Sequence, residues 1–114
     1  MKKLDIIISH EHLAEVNDTL HKNKVGGMTF YSVKGRGRSR KEEVSSGRGI
    51  ARAVPEFVTG TKIEVIVADS VVKPIIEDIR ATLSKGSFPF GKIFVSDIIE
   101  AYTINADEID DTAL

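Results

Sequence analysis

The stretches KLDIIIS, Lys3 to Ser9, and KIEVIVA, Lys62 to Ala68, follow one pattern: lysine, aliphatic, acid, three aliphatics, then a small residue. Their brevity and β-branched content mark both as strands. The repeat continues past each strand. Leu13, Val16 and Leu20 stand at the same offsets from Ser9 as Val72, Ile75 and Ile79 do from Ala68. Spacings of three and four residues place each trio on one face of a helix. Each half of the chain therefore reads as a strand followed by an amphipathic helix. Ser9 and Ser70 are the predicted N-caps, and Gly26, Gly27 and Gly86 the predicted helix stops.

After the first helix, residues 28–34 (MTFYSVK) have the β-branched and aromatic content of a strand, and residues 92–97 (KIFVSD) repeat this after the second. The order is βαββαβ. Two right-handed split units of this kind give an α+β, ferredoxin-like sandwich, an antiparallel sheet with both helices on one face. A short extra strand is predicted at residues 101–104, followed by a loosely held acidic tail over 106–114.

Strand periodicity assigns the faces. Leu4, Ile6 and Ile8 point one way with Ile63, Val65 and Val67, and this aliphatic set belongs under the helices. The other face mixes Asp5 and Glu64 with Ile7, Tyr31, Val33 and Ile66. That is too apolar a set to leave against water, so self-association through this face is expected.

The whole chain, 114 residues, suits one domain. It has no cysteine, and hence no disulfide or thiolate metal site. No apolar run is long enough to span a bilayer, and the start lacks the h-region of a signal peptide, so a cytoplasmic protein without membrane insertion is expected. The net charge of −1 hides an asymmetry. Seven cations (Lys34, Arg36, Arg38, Arg40, Lys41, Arg48 and Arg52) face only Glu42 and Glu43 in one segment, whereas the last eighteen residues hold six acids and no base. The basic island sits in an excursion from about residue 38 to 60, and loops beyond about 12–15 residues without structure of their own are functional or disordered.

Four readings compete for GRGRSRKEEVSSGRG, residues 35–49. A phosphate-binding P-loop fails for want of the Gly-Lys-Ser/Thr ending. A nucleic-acid patch lacks interleaved aromatics, and a solvated loop without a partner is the bland reading. A docking arm is preferred, since its arginines offer bidentate contacts to carboxylates or phosphates on a target protein through Arg36, Arg40, Lys41, Arg48 and Arg52. His10 and His12 could share a metal, but no further ligand is evident and no metal site is predicted. No nucleophile, base and acid set is readable either.

Several segments together resemble a known family. Gly27-Met28-Thr29 leads into the second strand, and Val33-Lys34-Gly35-Arg36-Gly37-Arg38 into the long loop. Lys62-Ile63-Glu64-Val65 restarts the sheet, and Gly91-Lys92-Ile93-Phe94-Val95 forms its last strand. These resemble the PII signal-transduction proteins over nearly the whole chain. The resemblance implies a homotrimer, with an adenine nucleotide (ATP, ADP or AMP) as small-molecule effector in clefts between subunits. It also implies a T-loop, here residues 38–60, docking on a target such as an ammonium transporter or a nitrogen-assimilation enzyme, in a regulator that is not an enzyme. Carried over by position, Ile7, Thr29 and Ile66 frame the adenine, Gly37 and Arg38 lie beside the phosphates, and Gly91 and Lys92 end the phosphate-binding turn.

Departures from the family pattern set further expectations. Pro89-Phe90 replaces a glycine-aspartate pair, and Thr103 and Asn105 stand where two arginines contact phosphate. Losing two charge-assisted hydrogen bonds costs about 3–6 kcal/mol, or roughly two to four orders of magnitude in affinity. Ser39 and Gly60 replace residues that serve 2-oxoglutarate, which argues against that ligand, and Ala53 falls near the modifiable tyrosine, which argues against uridylylation. The alternatives are a binding module of the same fold that takes a non-nucleotide anion such as bicarbonate, one that grips nucleic acid or acidic surfaces, and a phosphate-ester hydrolase.

Overall fold

The computed structural model describes residues 1–37, 57–84 and 91–114, and the backbone of 44–46 and 50–53. Strand β1 (Lys2–Ile8) leads through a 3₁₀ turn (His10–His12) into helix α1 (Leu13–Lys22) and then β2 (Thr29–Gly35). The long excursion carries its own two-stranded antiparallel ladder, β3 (Val44–Ser46) with β4 (Ile50–Ala53). Strand β5 (Val58–Val67), helix α2 (Asp69–Leu83) and β6 (Gly91–Asp97) complete the second half. The main sheet has the order β2-β5-β1-β6 with every neighbouring pair antiparallel, the ferredoxin-like arrangement predicted from the repeat.

The strand alternation is realised as expected on the helix side. Leu4, Ile6, Ile8, Ile63, Val65 and Val67 pack with Val16 and Leu20 of α1 and Ile75 and Ile79 of α2 in one buried cluster. One apolar face of each helix and one face of the sheet close on each other. Burying ten such side chains is the main favourable contribution to folding this chain, at about 25 cal/mol per Å² of apolar surface removed from water. A polar tie joins the helices, where Asn23 Nδ2 donates to Asp78 Oδ2 at 3.0 Å.

Local signals worked less evenly. Ser9 precedes the 3₁₀ turn and its carbonyl accepts from His12 N at 3.0 Å, but its side chain makes no capping bond. Ser70 is not a cap: Ala68 holds that position, and Asp69 places a negative charge at the positive end of the α2 dipole. Pro74 lies inside α2, where its missing N–H forfeits one helical bond. The first helix also stops before its predicted glycines. Asn23 caps it and Lys24 takes the left-handed conformation (φ 60°) that glycine would adopt more readily. Gly86 lies outside the described residues.

The C-terminal prediction is corrected. Residues 101–104 form no strand; Tyr102 makes an isolated antiparallel bridge to Ile109. The acidic tail is tied down by its own bonds. Asp110 N donates to Ala101 O at 2.6 Å, Ala101 N donates to Asp110 Oδ1 at 3.1 Å, and a 3₁₀ turn runs over Asp110–Ala113. The chain satisfies backbone groups through a side-chain-assisted turn where a strand would have needed a longer partner.

Candidate functional site

Register decides what the open face of the sheet displays, because residues directly opposite in an antiparallel pair share a face. One row reads Thr29, Glu64, Asp5, Phe94 and the next Tyr31, Lys62, Ile7, Lys92. Opposing Asp5 and Glu64 would be destabilising alone, since like charges directly across a ladder repel. The repeated Lys-x-acid pattern resolves this. Lys3 Nζ lies 3.5 Å from Asp5 Oδ1 and 3.4 Å from Glu64 Oε1, and Lys62 Nζ lies 3.8 and 3.7 Å from the same two oxygens. Tyr31 donates its hydroxyl to Glu64 Oε1 at 2.9 Å, and the Lys62 ammonium sits 5.9 Å from the Tyr31 ring centre.

The consequence is an ordered charged quartet in the middle of an uncovered sheet face. The Glu64 carboxyl is held below its ordinary value, first by the Tyr31 hydroxyl, against an opposing cost of desolvation, with Lys3 and Lys62 adding to the effect. Lys3 is raised chiefly by Glu64 and Lys62 chiefly by Tyr31, so each lysine stays charged beside its acids. Around the quartet lie apolar groups facing outward: Tyr31 is 43% exposed, Ile66 36% and Phe94 54%. Phe94 was missed in the sequence because β6 was assigned no face. The quartet was missed too, because it depends on the β1–β5 register that sets Asp5 opposite Glu64.

The predicted effector residues fall into two groups on this face. Ile7 pairs directly with Lys92, and Gly91, the first residue of β6, lies beside them. Thr29 begins β2 opposite Glu64, and Ile66 follows two residues along β5. Thr29 and Lys92 are on opposite edge strands, which lie three inter-strand steps or about 14 Å apart, and in neighbouring rows of the face. Gly37 lies just past the far end of β2, and Arg36 precedes it. A Cβ added at Gly37 would meet nothing within 4 Å, and one at Gly91 only Ile7 O at 3.6 Å, so packing within the chain does not require glycine at either place. Arg38, Arg40, Lys41 and Arg48 lie outside the described residues, as do Pro89 and Phe90, while Arg52 belongs to β4.

On the helix side, Ile6, Ile8, Ile76, Ile79, Leu83 and Ile93 line a cavity of about 500 Å³ beside Gly91. The histidines diverge: His10 Nδ1 pairs with Thr61 Oγ1, and His12 Nδ1 faces Glu15 at 3.3 Å. Among the described residues no group of three His, Asp or Glu side chains could hold a metal, and no helix is long and apolar enough to cross a membrane.

A ferredoxin-like sheet with one closed face, one open charged and apolar face, and a basic excursion between β2 and β5 defines a small α+β domain with a surface left over for contacts. Its relatives agree. The family model described as Nitrogen regulatory protein P-II matches residues 1–108. Across all 114 residues, and the full length of each relative, the chain is 37% identical to nitrogen regulatory protein P-II of Klebsiella oxytoca and to nitrogen regulatory protein P-II 1 of Escherichia coli K12. It is 36% identical to nitrogen regulatory protein P-II of Porphyra purpurea over the same span. The chain belongs to the nitrogen regulatory protein P-II family, and it is a signal-transduction regulator rather than an enzyme.

Proposed function

We propose that this chain works as a homotrimer that buries its open sheet faces together, senses an adenine nucleotide in the clefts between subunits, and passes that state to nitrogen-metabolism targets. The observation that carries the reading is the split of the effector residues. Ile7, Gly91 and Lys92 stand on β1 and β6, and Thr29 and Ile66 on β2 and β5, so that Lys92 and Thr29 lie on opposite edge strands while Ile7 and Ile66 lie on the paired inner strands. Each group forms one wall, and the edge of a second copy supplies the other. Gly37 and Arg38 close the phosphate end, where Lys92 provides a cation and Gly91 lets backbone approach the ligand closely.

The excursion over residues 38–60 is the docking T-loop. Arg36, Arg40, Lys41, Arg48 and Arg52 engage acidic groups on a target such as an ammonium transporter or a nitrogen-assimilation enzyme in the cytoplasm. With Thr103 and Asn105 in place of two phosphate-binding arginines, the cleft holds ATP more weakly than an arginine-bearing one, and 2-oxoglutarate is not a ligand. Titration calorimetry with ATP, ADP, AMP, 2-oxoglutarate and bicarbonate, alongside light scattering, tests the proposal. Heat from an adenine nucleotide on a three-subunit particle supports it. A stable single subunit, or heat from bicarbonate alone, overturns it.

A further inference from the structure

We infer that the groove between α2 and β6, on the helix side of the sheet, is a second ligand site: it takes a small aliphatic carboxylate, with the chain against isoleucine and leucine walls and the acid on Arg80. The register explains why there is room. Ile6 pairs directly with Ile93, but on the next row of that face Ile8 pairs with Gly91, which contributes no side chain. A space of about 500 Å³ is left beside it. Buried Ile8 lies at the floor, and Ile76, Leu83 and Ile93, each only partly buried, form the walls.

The α2 side of the groove comes from positions 76, 79, 80, 83 and 84, one continuous face of the helix. An aliphatic stripe at that spacing is ordinary core, but an arginine within it is a charge looking for a partner. No acid lines the groove, and among the described residues no acid pairs with Arg80. Ser84 Oγ donates to Ala81 O at 3.2 Å, so Arg80 is the donor left to hold an anion. A planar guanidinium grips a carboxylate through two parallel N–H···O bonds. The walls suit a hydrocarbon chain and reject a sugar or phosphate, which would lose water there without gaining partners. The volume lies in the ordinary range for small-ligand sites. This site is separate from the nucleotide cleft proposed above, because alternation turns Ile7 and Lys92 to the open face while Ile8, Gly91 and Ile93 face the helices.

The test is titration calorimetry on the full-length protein with butyrate, hexanoate and octanoate, and with 1-octanol and octylammonium as the uncharged and oppositely charged comparators. The expected result is one site per subunit, with affinity rising about three- to fourfold for each added methylene. Octanoate should bind about tenfold more tightly than octanol, and octylammonium should not bind. Arg80→Gln should erase the preference for octanoate over octanol while leaving octanol unchanged, and Ile76→Trp, which fills the groove, should remove both. Far-ultraviolet dichroism establishes that each variant keeps its fold; should Ile76→Trp not fold, the chain-length series and Arg80→Gln decide the matter. Arg80 also stands in the last turn of α2, where a cation complements the helix dipole. If that is its whole role, Arg80→Gln lowers the urea midpoint and leaves the octanoate preference in place, which overturns the inference. Equal affinity for octanoate and octanol, several chains adsorbed per subunit, or octanoate binding that survives in folded Ile76→Trp overturns it as well.

Discussion

The two faces of the sheet come from the same strands and have opposite fates. On one, Leu4, Ile6, Ile8, Ile63, Val65 and Val67 are covered by two helices, and the chain satisfies them alone. On the other, alternate residues of the same strands set Asp5, Glu64, Lys3 and Lys62 among Ile7, Tyr31, Ile66 and Phe94, with nothing from the described chain above them. A closed face fixes the fold. An open face that is neither fully polar nor fully apolar suits contact with another copy and a ligand, because its charges are already paired before anything docks.

The sharpest way to break this contrast is to injure the closed face. Ile6→Ala, at a wholly buried site, should cost about 2–5 kcal/mol in urea unfolding. A loss below about 1 kcal/mol would mean that the helices do not seal that face as described. Next in size is an injury to the open face. Ile66→Arg should change single-subunit stability by less than about 0.5 kcal/mol, yet dissociate the proposed trimer in sedimentation experiments. An intact trimer would show that the open face is not its interior.

A milder probe is pH. Glu64 is depressed in the folded chain, so its contribution to stability is complete above the ordinary glutamate range and is lost as pH falls through its lowered value. Lys3 and Lys62 are raised, so theirs is complete below the ordinary lysine range and is lost as pH rises through their elevated values. Denaturation midpoints of Glu64→Gln should therefore fall less steeply toward acid than those of the unmodified protein; parallel acid limbs would show that the quartet carries no stability. The smallest effect belongs to a site on neither face. Lys24→Gly should raise stability by about 0.5–1 kcal/mol by relieving a left-handed lysine, and a decrease would show that its side chain has a role of its own.

Much of this was legible from the chain. The duplicated strand and helix pattern is enough for βαββαβ, because periods of two and of three to four residues are local properties. Helix ends were legible only in part. A serine at 70 and glycines at 26 and 27 looked like caps, but Ala68 and Lys24 took those places, since the ends are set by where packing against the sheet stops. The tail was misread because its order comes from Asp110 reaching back to Ala101, a contact that no local pattern announces.

The family resemblance drew the candidate effector residues from sequence, but not their arrangement. Ile7 and Lys92 become neighbours only through the β1–β6 register, and Tyr31 reaches Glu64 only through that of β2 with β5.

By itself, then, the amino-acid order determined which residues alternate, which recur at helical spacing, and that one half repeats the other. Those follow from side-chain size, polarity and spacing along a chain whose backbone has few conformations. Tertiary structure alone decided which acid faces which lysine and which candidate residues share a wall, because register is fixed by cooperative pairing of distant strands under a shared core, and a shift of one residue would have turned every one of those side chains to the other face.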